Sequence, residues 1–86
     1  MAPVFRFQLI SQTSVIFDGE IESLVAPGTE GYLGVLAHHA PLVTGLQSGT
    51  VTYRTEDGQT TKQELTGGFL EVSNNRAVIL ADEVEE

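Results

Sequence analysis

The chain contains no cysteine and no tryptophan, a single methionine, and only four basic residues, Arg6, Arg54, Lys62 and Arg76, against twelve acidic ones. Without thiols there is no disulfide framework, no thiolate nucleophile and no cysteine-based zinc site, which fits a reducing compartment. A formal charge of −8 with no basic patch repels phosphate backbones, so nucleic acid and anionic lipid are excluded as partners. Such a surface favours solubility and attraction to basic partners instead. Long apolar runs are also missing: nothing approaches the roughly 20 residues that cross a bilayer. Met1 to Phe7 lacks a signal-peptide core, so a soluble chain without direct membrane insertion is expected.

Room for long helices is equally scarce. Gly and Pro fall at twelve positions, from Pro3 to Gly68, and leave only two stretches longer than ten residues without a breaker. Val, Ile and Thr supply 22 of the 86 residues, and these β-branched side chains favour a pleated surface over a helix. A chain of this length supports one small core. An all-β monomer with at most one turn of helix is therefore expected.

Local patterns agree. Phe5, Phe7 and Leu9 alternate with Arg6 and Gln8, the signature of a half-buried strand. Further strands are predicted at Val15 to Phe17, Glu20 to Ala26 with Ile21 and Val25 inward, Tyr32 to Leu36, Pro41 to Leu46, and Gly49 to Arg54 with Val51 and Tyr53 inward. Glu56-Asp57-Gly58 predicts a hairpin turn between Thr50–Arg54 and Thr60–Leu65, because Gly accepts positive φ. Ser73-Asn74-Asn75 predicts another, between Phe69–Val72 and Arg76–Leu80, because Asn tolerates the left-handed region. Short strands at such spacing make a flattened antiparallel β-sandwich or barrel. Residues 1–82 read as this domain and 83–86 as an acidic tail, either frayed or the first helical turn capped by Asp82.

Reactive constellations are thin. His38 and His39 are adjacent, so on an extended segment they point to opposite faces and cannot easily hold one metal ion. No serine sits in a Gly-x-Ser-x-Gly elbow. Glu20 and Glu22 share a strand face, where a solvated carboxylate pair is the ordinary outcome. Gly28, Gly31 and Gly34 lack the helix and the Lys-Ser or Lys-Thr pair of a phosphate loop, and read as turn or bulge glycines. No catalytic residue, cofactor or metal site is assigned.

One stretch is specific. Glu30-Gly31-Tyr32-Leu33-Gly34, a four-residue gap, then His39-Ala40-Pro41-Leu42 resembles the signature of the epsilon subunit of F-type ATP synthases. The likeness extends to Phe17-Asp18-Gly19, similar to an early Phe-x-Gly turn, to Gly67-Gly68-Phe69-Leu70-Glu71-Val72, and to Val78-Ile79-Leu80-Ala81-Asp82. It departs at Ala37-His38, where family members usually carry Pro-Gly. It covers the sandwich and not the C-terminal helical hairpin that follows in most members, the part that can brake ATP hydrolysis or bind ATP.

The resemblance implies a sandwich of about ten strands that binds the gamma subunit of the central stalk and the membrane c-ring. Such a subunit turns with the rotor and couples ion flow to ATP synthesis without touching the nucleotide. It would lie peripherally on the cytoplasmic face of an energy-transducing membrane, in a bacterium. Partner contact is implied for Ser11, Glu30, Gly31, Tyr32, Leu33, His38 and His39, with Tyr32 toward the ring and His39 and Ser11 near gamma. The competing readings are a stand-alone β-sandwich binding module and a small metal-dependent hydrolase. Sugar-binding platforms need exposed aromatics, and two tyrosines supply few.

Overall fold

The computed structural model describes residues 2–85, and all regular structure in them is β. Nine strands follow in order: β1 (Phe5–Ile10), β2 (Val15–Gly28), β3 (Gly31–Leu36), β4 (Leu42–Leu46), β5 (Gly49–Thr55), β6 (Thr60–Leu65), β7 (Gly68–Ser73), β8 (Arg76–Ala81) and β9 (Val84–Glu85). The all-β expectation holds, with nine strands among the described residues against the ten implied. Val15–Phe17 and Glu20–Ala26 are not separate: they form the single 14-residue β2. Asp18 and Gly19 lie inside it, opposite Gln8 and Phe7 of β1, so the expected Phe-x-Gly turn is a strand. Gly19 leaves room there for the Phe17 ring, whose edge would stand 3.1 Å from an added Cβ.

Strand β2 belongs to both layers. Its first half pairs with β1, which continues through β8 and β7 to β4. Its second half lies between β3 and β5, and β5 continues to β6 and β9. The β1–β8 contact is the one parallel pairing among the described strands. The transition is made by a bulge. Ile21 opposes Thr55 and Ser23 opposes Arg54, so Glu22 is the extra residue on β2. Its carboxylate meets the Arg54 guanidinium at 3.4 Å. The extra residue shifts the inward phase, so Ile21, Leu24 and Ala26 are buried. Val25, expected inward, faces out and is 40% exposed.

The core fills from every strand through β8. Phe5, Phe7 and Leu9 of β1 are buried as their alternation requires, with Val51 and Tyr53 of β5, Leu70 and Val72 of β7, and Ala77 and Ile79 of β8. Phe7, Phe17 and Tyr53 make a tilted aromatic cluster with ring centroids 4.7 to 5.8 Å apart, the spacing that aromatic quadrupoles favour. Burial raises the Tyr53 hydroxyl pKa above its ordinary value, partly offset by a hydrogen bond with Thr61.

Turn chemistry closes the hairpins as expected. Gly58 has φ 89° in the β5–β6 turn, and Asn74 and Asn75 have φ 52° and 57° in the β7–β8 turn. The acidic end takes neither form considered above. Thr66 N–H donates to Glu83 O at 3.1 Å, and Val84 and Glu85 pair with Leu65 and Glu64. Asp82 caps no helix; its N–H donates to Gly67 O at 2.9 Å. The open edge of β6 offers backbone groups that a helical turn here would leave unpaired.

Asn75 ties three segments together. Its Nδ2 donates to Val4 O at 3.0 Å, its Oδ1 accepts from His38 N–H at 2.7 Å, and its own carbonyl accepts from Arg6 N–H at 3.2 Å. Asn75→Ala should therefore lower unfolding stability by about 1–3 kcal/mol, since it orphans a part-buried carbonyl and an amide together. Urea denaturation with an unchanged m-value checks this.

A second expectation concerns charge. Arg6 and Arg76 stand directly opposite in the β1–β8 pair. Asp18 relieves them, binding Arg6 Nε and Nη2 at 2.9 and 2.7 Å. The Arg6 hydrogen bond lowers the Asp18 pKa below 3.8, despite some opposing desolvation. A depressed carboxyl pKa contributes stability above the unfolded value and loses it as pH falls through the folded one. Asp18→Asn should thus lower the thermal midpoint at neutral pH by an increment that shrinks in added salt and vanishes in strong acid.

Candidate docking surface

The residues singled out by the sequence signature do not form one loop. Six of the intervening residues, Gly31–Leu36, are strand β3, so Glu30 and His38 stand at its two ends, roughly 20 Å apart at strand rise. Glu30 and Gly31 make the β2–β3 hairpin, where Gly31 has φ 124°. His38 and His39 leave the other end through a turn closed by His39 N–H donating to Leu36 O at 3.2 Å. Ser11 belongs with the Glu30 end: Ile10 opposes Leu80, Leu80 opposes Phe69, Phe69 opposes Gly45, and Gly45 O accepts from Thr29 N–H. His38 lies instead at the level of Arg6, through Asn75. Ser11 and His39, both expected near gamma, stand at different levels of the sandwich.

Each of these side chains has a local task. Ser11 Oγ accepts from Ser14 N–H at 3.1 Å and Thr13 N–H at 3.3 Å, which organises the β1–β2 turn. Leu33 is half-buried against the core. His39 Nδ1 lies 2.7 Å from Ala40 O, while His38 is exposed with φ 65°. That left-handed φ is the physical content of the Ala37-His38 departure, because glycine takes this conformation without strain and histidine does not.

Tyr32 is 59% exposed yet held in place. Its hydroxyl accepts from Thr50 N–H at 3.1 Å. It stands against Gly49, where an added Cβ would meet the hydroxyl at 2.7 Å and Pro27 Cβ at 2.8 Å. Tyr32 therefore supports the strand packing as well as presenting a ring to solvent.

A larger surface escaped the sequence reading. On the outer side of β8, β7 and β4, Leu80 opposes Phe69 and Val78 opposes Glu71, which opposes Val43. Leu80, Phe69 and Val43 are 54%, 61% and 71% exposed, with half-buried Ile10 and Val78 beside them. The available signal was Ala77-Val78-Ile79-Leu80-Ala81, a continuous apolar run of the kind found in strands covered on both faces. Only the face with Ala77, Ile79 and Ala81 is covered here. An apolar outer face on a small domain marks a protein contact surface.

Among the described residues no three His, Asp or Glu side chains gather as a metal-binding group, and no buried side-chain polar atom lacks a partner. The carboxyl with the other lowered pKa, Asp57, owes it to hydrogen bonds from Thr55 and the Gln59 backbone inside an exposed turn.

The sequence pattern of the ATP synthase, Delta/Epsilon chain, beta-sandwich domain matches residues 4–86. The chain belongs to this family. It is 45% identical over 85 residues to the ATP synthase epsilon chain of Desulforamulus reducens, covering 99% of this chain and 64% of that one. Against the epsilon chain of Moorella thermoacetica it is 44% identical, covering 93% and 60%. The chain thus spans about three-fifths of the length of these relatives. The epsilon chain of Chlorobaculum tepidum is 40% identical over 80 residues and 91% covered. Among solved structures, a chain of the Euglena gracilis mitochondrial ATP synthase assembly "OSCP/F1/c-ring" superposes with a TM-score of 0.90 at 25% identity, over 99% of this chain and 55% of that one. A chain of the Tetrahymena thermophila mitochondrial ATP synthase central stalk and c-ring shares the fold, with a TM-score of 0.81 at 17% identity.

Two substitutions separate local from docking roles in this epsilon-type domain. His38→Gly should raise stability by about 0.5–1 kcal/mol by relieving the left-handed histidine. Tyr32→Phe should lower it by about 0.5–1.5 kcal/mol through the lost Thr50 hydrogen bond. Thermal unfolding of the isolated chain reads both, and an unchanged midpoint for either would contradict the role given to that residue.

Proposed function

We propose that the chain is a non-catalytic rotor-stalk subunit of a rotary F-type ATP synthase. It joins the gamma subunit to the c-ring and helps couple ion translocation to ATP synthesis. The observation that carries this reading is the uncovered apolar outer face of β4, β7 and β8. A sandwich that spends Phe69, Leu80 and Val43 on solvent gains from a partner that covers them, by about 25 cal/mol for each Å² of apolar area removed from water. The family membership and the fold shared with chains from c-ring assemblies support that partner being another stalk component. Glu30, Gly31, Tyr32 and Leu33 form a second contact suited to the ring, while Ser11, which shares a shallow cleft with Phe69 and Leu80, belongs with the gamma contact. His38 and His39, at the opposite end, would meet a different part of the assembly. The subunit sits peripherally on the bacterial cytoplasmic face of the membrane, held by protein contacts.

The outward positions on the face allow a clean test. Phe69→Glu and Leu80→Glu introduce charge without entering the core. Each should cut co-purification of the chain with gamma by about tenfold or more, a loss of at least 1.4 kcal/mol. The thermal midpoint of the free domain should change little. Retention of assembly in both variants would remove the face from the interface. The chain alone should also bind no ATP at micromolar concentrations in a calorimetric titration, since it has no phosphate loop.

A further inference from the structure

The chain has two Asp-Gly pairs, Asp18-Gly19 and Asp57-Gly58. In such a pair the glycine nitrogen, with no side chain beside it, can attack the aspartate carboxyl carbon and close a five-membered imide. The reaction proceeds only where the backbone lets that carbon reach that nitrogen. We infer that Asp57-Gly58 is a site of spontaneous backbone isomerisation to isoaspartate, and that the fold withholds the same reaction from Asp18-Gly19.

The two pairs are folded in contrasting ways. Asp57 and Gly58 are exposed in the β5–β6 turn, where Asp57 Oδ1 accepts from the Gln59 N–H at 3.2 Å and from the Thr55 hydroxyl. To reach the Gln59 N–H the carboxyl must double back over the Asp57–Gly58 peptide, which carries its carbon toward the Gly58 nitrogen. A Cβ built at Gly58 would meet Arg54 Nη2 at 3.6 Å, so a cation stands beside the negative charge that grows on the nitrogen and then on the attacked oxygen. Glu56 is the other charged residue of the turn. The attacking nitrogen is engaged by Thr55 O at 3.0 Å, but at an exposed hairpin tip, where local opening is frequent. Asp18 has none of this freedom. It lies mid-strand, paired with Gln8 as Gly19 is with Phe7, and its Oδ1 is held across the ladder by Arg6 Nε and Nη2. An extended strand points that side chain out of the pleat, away from the next peptide nitrogen, and the rotation needed for attack would break the β1–β2 ladder.

The step conserves atoms. The hydrogen on Gly58 N and the hydroxyl of the neutral Asp57 carboxyl leave as one water while the N–Cγ bond forms. Water then adds back to the imide. At Cγ it restores Asp57; at the backbone carbonyl it breaks the old C–N bond and leaves the chain running through Cγ. Nothing is oxidised or reduced, and water is the only co-reactant. Hydrogen bonds from Thr55 and Gln59 favour the carboxylate, so the reaction passes through the neutral minority and is slow. Its product lengthens the backbone of a tight turn by one carbon, against the Gly58 N–H to Thr55 O and Thr55 N–H to Gln59 O bonds that close it.

Storage of the folded 86-residue chain at physiological temperature in mildly acidic buffer, followed by labelling with an isoaspartyl-specific carboxyl methyltransferase and peptide mass spectrometry, tests this. Label should accumulate at residue 57 and exceed that at residue 18 by about tenfold or more, the factor that about 1.4 kcal/mol of extra opening free energy gives. In urea, where the fold is lost, the two sites should label alike. Asp57→Glu keeps the charge but would have to close a six-membered ring, so its label at residue 57 should fall to background. Isoaspartate formed by deamidation of Asn74 or Asn75 is told apart by its position and its gain in mass. A folded chain without label at residue 57, equal label at residue 18, label that persists in Asp57→Glu, or a preference for residue 57 that survives in urea would overturn the inference.

Discussion

The bulge at Glu22 is the constraint on which the rest of the sandwich depends. Without it β2 would keep one set of side chains on one face from Phe17 to Gly28, since the other register shift of this strand lies before Phe17. Ile21 could then bury beneath β1 only if Leu24 and Ala26 were turned to solvent. The extra residue reverses the phase midway, so β2 serves the β1 layer with Ile21 and the β5 layer with Leu24 and Ala26. Arg54 holds the bulged carboxylate from the neighbouring strand. With β2 shared, the two layers enclose one core, and the aromatic cluster of Phe7, Phe17 and Tyr53 draws on β1, β2 and β5 alike.

Charge and apolar area are kept apart by this arrangement. Among the described residues two ion pairs form, Arg6 with Asp18 and Arg54 with Glu22. The acidic excess is left to set the long-range field, which attracts basic partners and speeds encounter more than it strengthens the final contact. On the outer face of β4, β7 and β8 the charged residues are Glu71 and Arg76, of opposite sign, and the Leu80, Phe69 and Val43 part is apolar. In the proposed role, encounter and adhesion thus fall to different parts of one surface.

Much of the fold was legible in the residues. Breaker spacing and β-branched content gave the class, and alternation placed Phe5, Phe7, Leu9, Val51 and Tyr53 inward. Asp57-Gly58 and Asn74-Asn75 marked turns through the backbone conformations they tolerate. The failures share a cause: they lie where pairing partners outweigh local pattern. Val25 was misplaced because a bulge has no compositional mark when the extra residue is an ordinary Glu. Phe17-Asp18-Gly19 read as a turn from its likeness to the family's Phe-x-Gly, yet the β1 register makes it strand. The acidic end found the β6 edge, which no local propensity reveals. For the expected contact residues, the signature named Glu30 to His39 but not their separation along β3, since linear proximity in a strand becomes distance. Phe69, Leu80 and Val43 were overlooked because a hydrophobic residue in a strand is read as core until the other layer is known to lie on its opposite side.

Placing the contact residues on strands has a mechanical consequence. A loop contact yields through backbone rotation before it transmits force, whereas Phe69, Leu80 and Val43 sit on paired strands whose inner faces are packed. Displacing them requires breaking ladder hydrogen bonds or opening the core, and both resist small displacements. The Asn75 cross-link stiffens the far end, joining the β7–β8 turn to the chain before β1 and to the β3–β4 connection. A left-handed His38 fits the same picture. In that conformation its backbone N–H donates to Asn75 Oδ1 at 2.7 Å, a hydrogen bond that offsets the strain and fixes the exit of β3. For a subunit proposed to carry torque between rotor parts, a rigid face with its compliant turns kept at the ends is the arrangement that loses least to deformation.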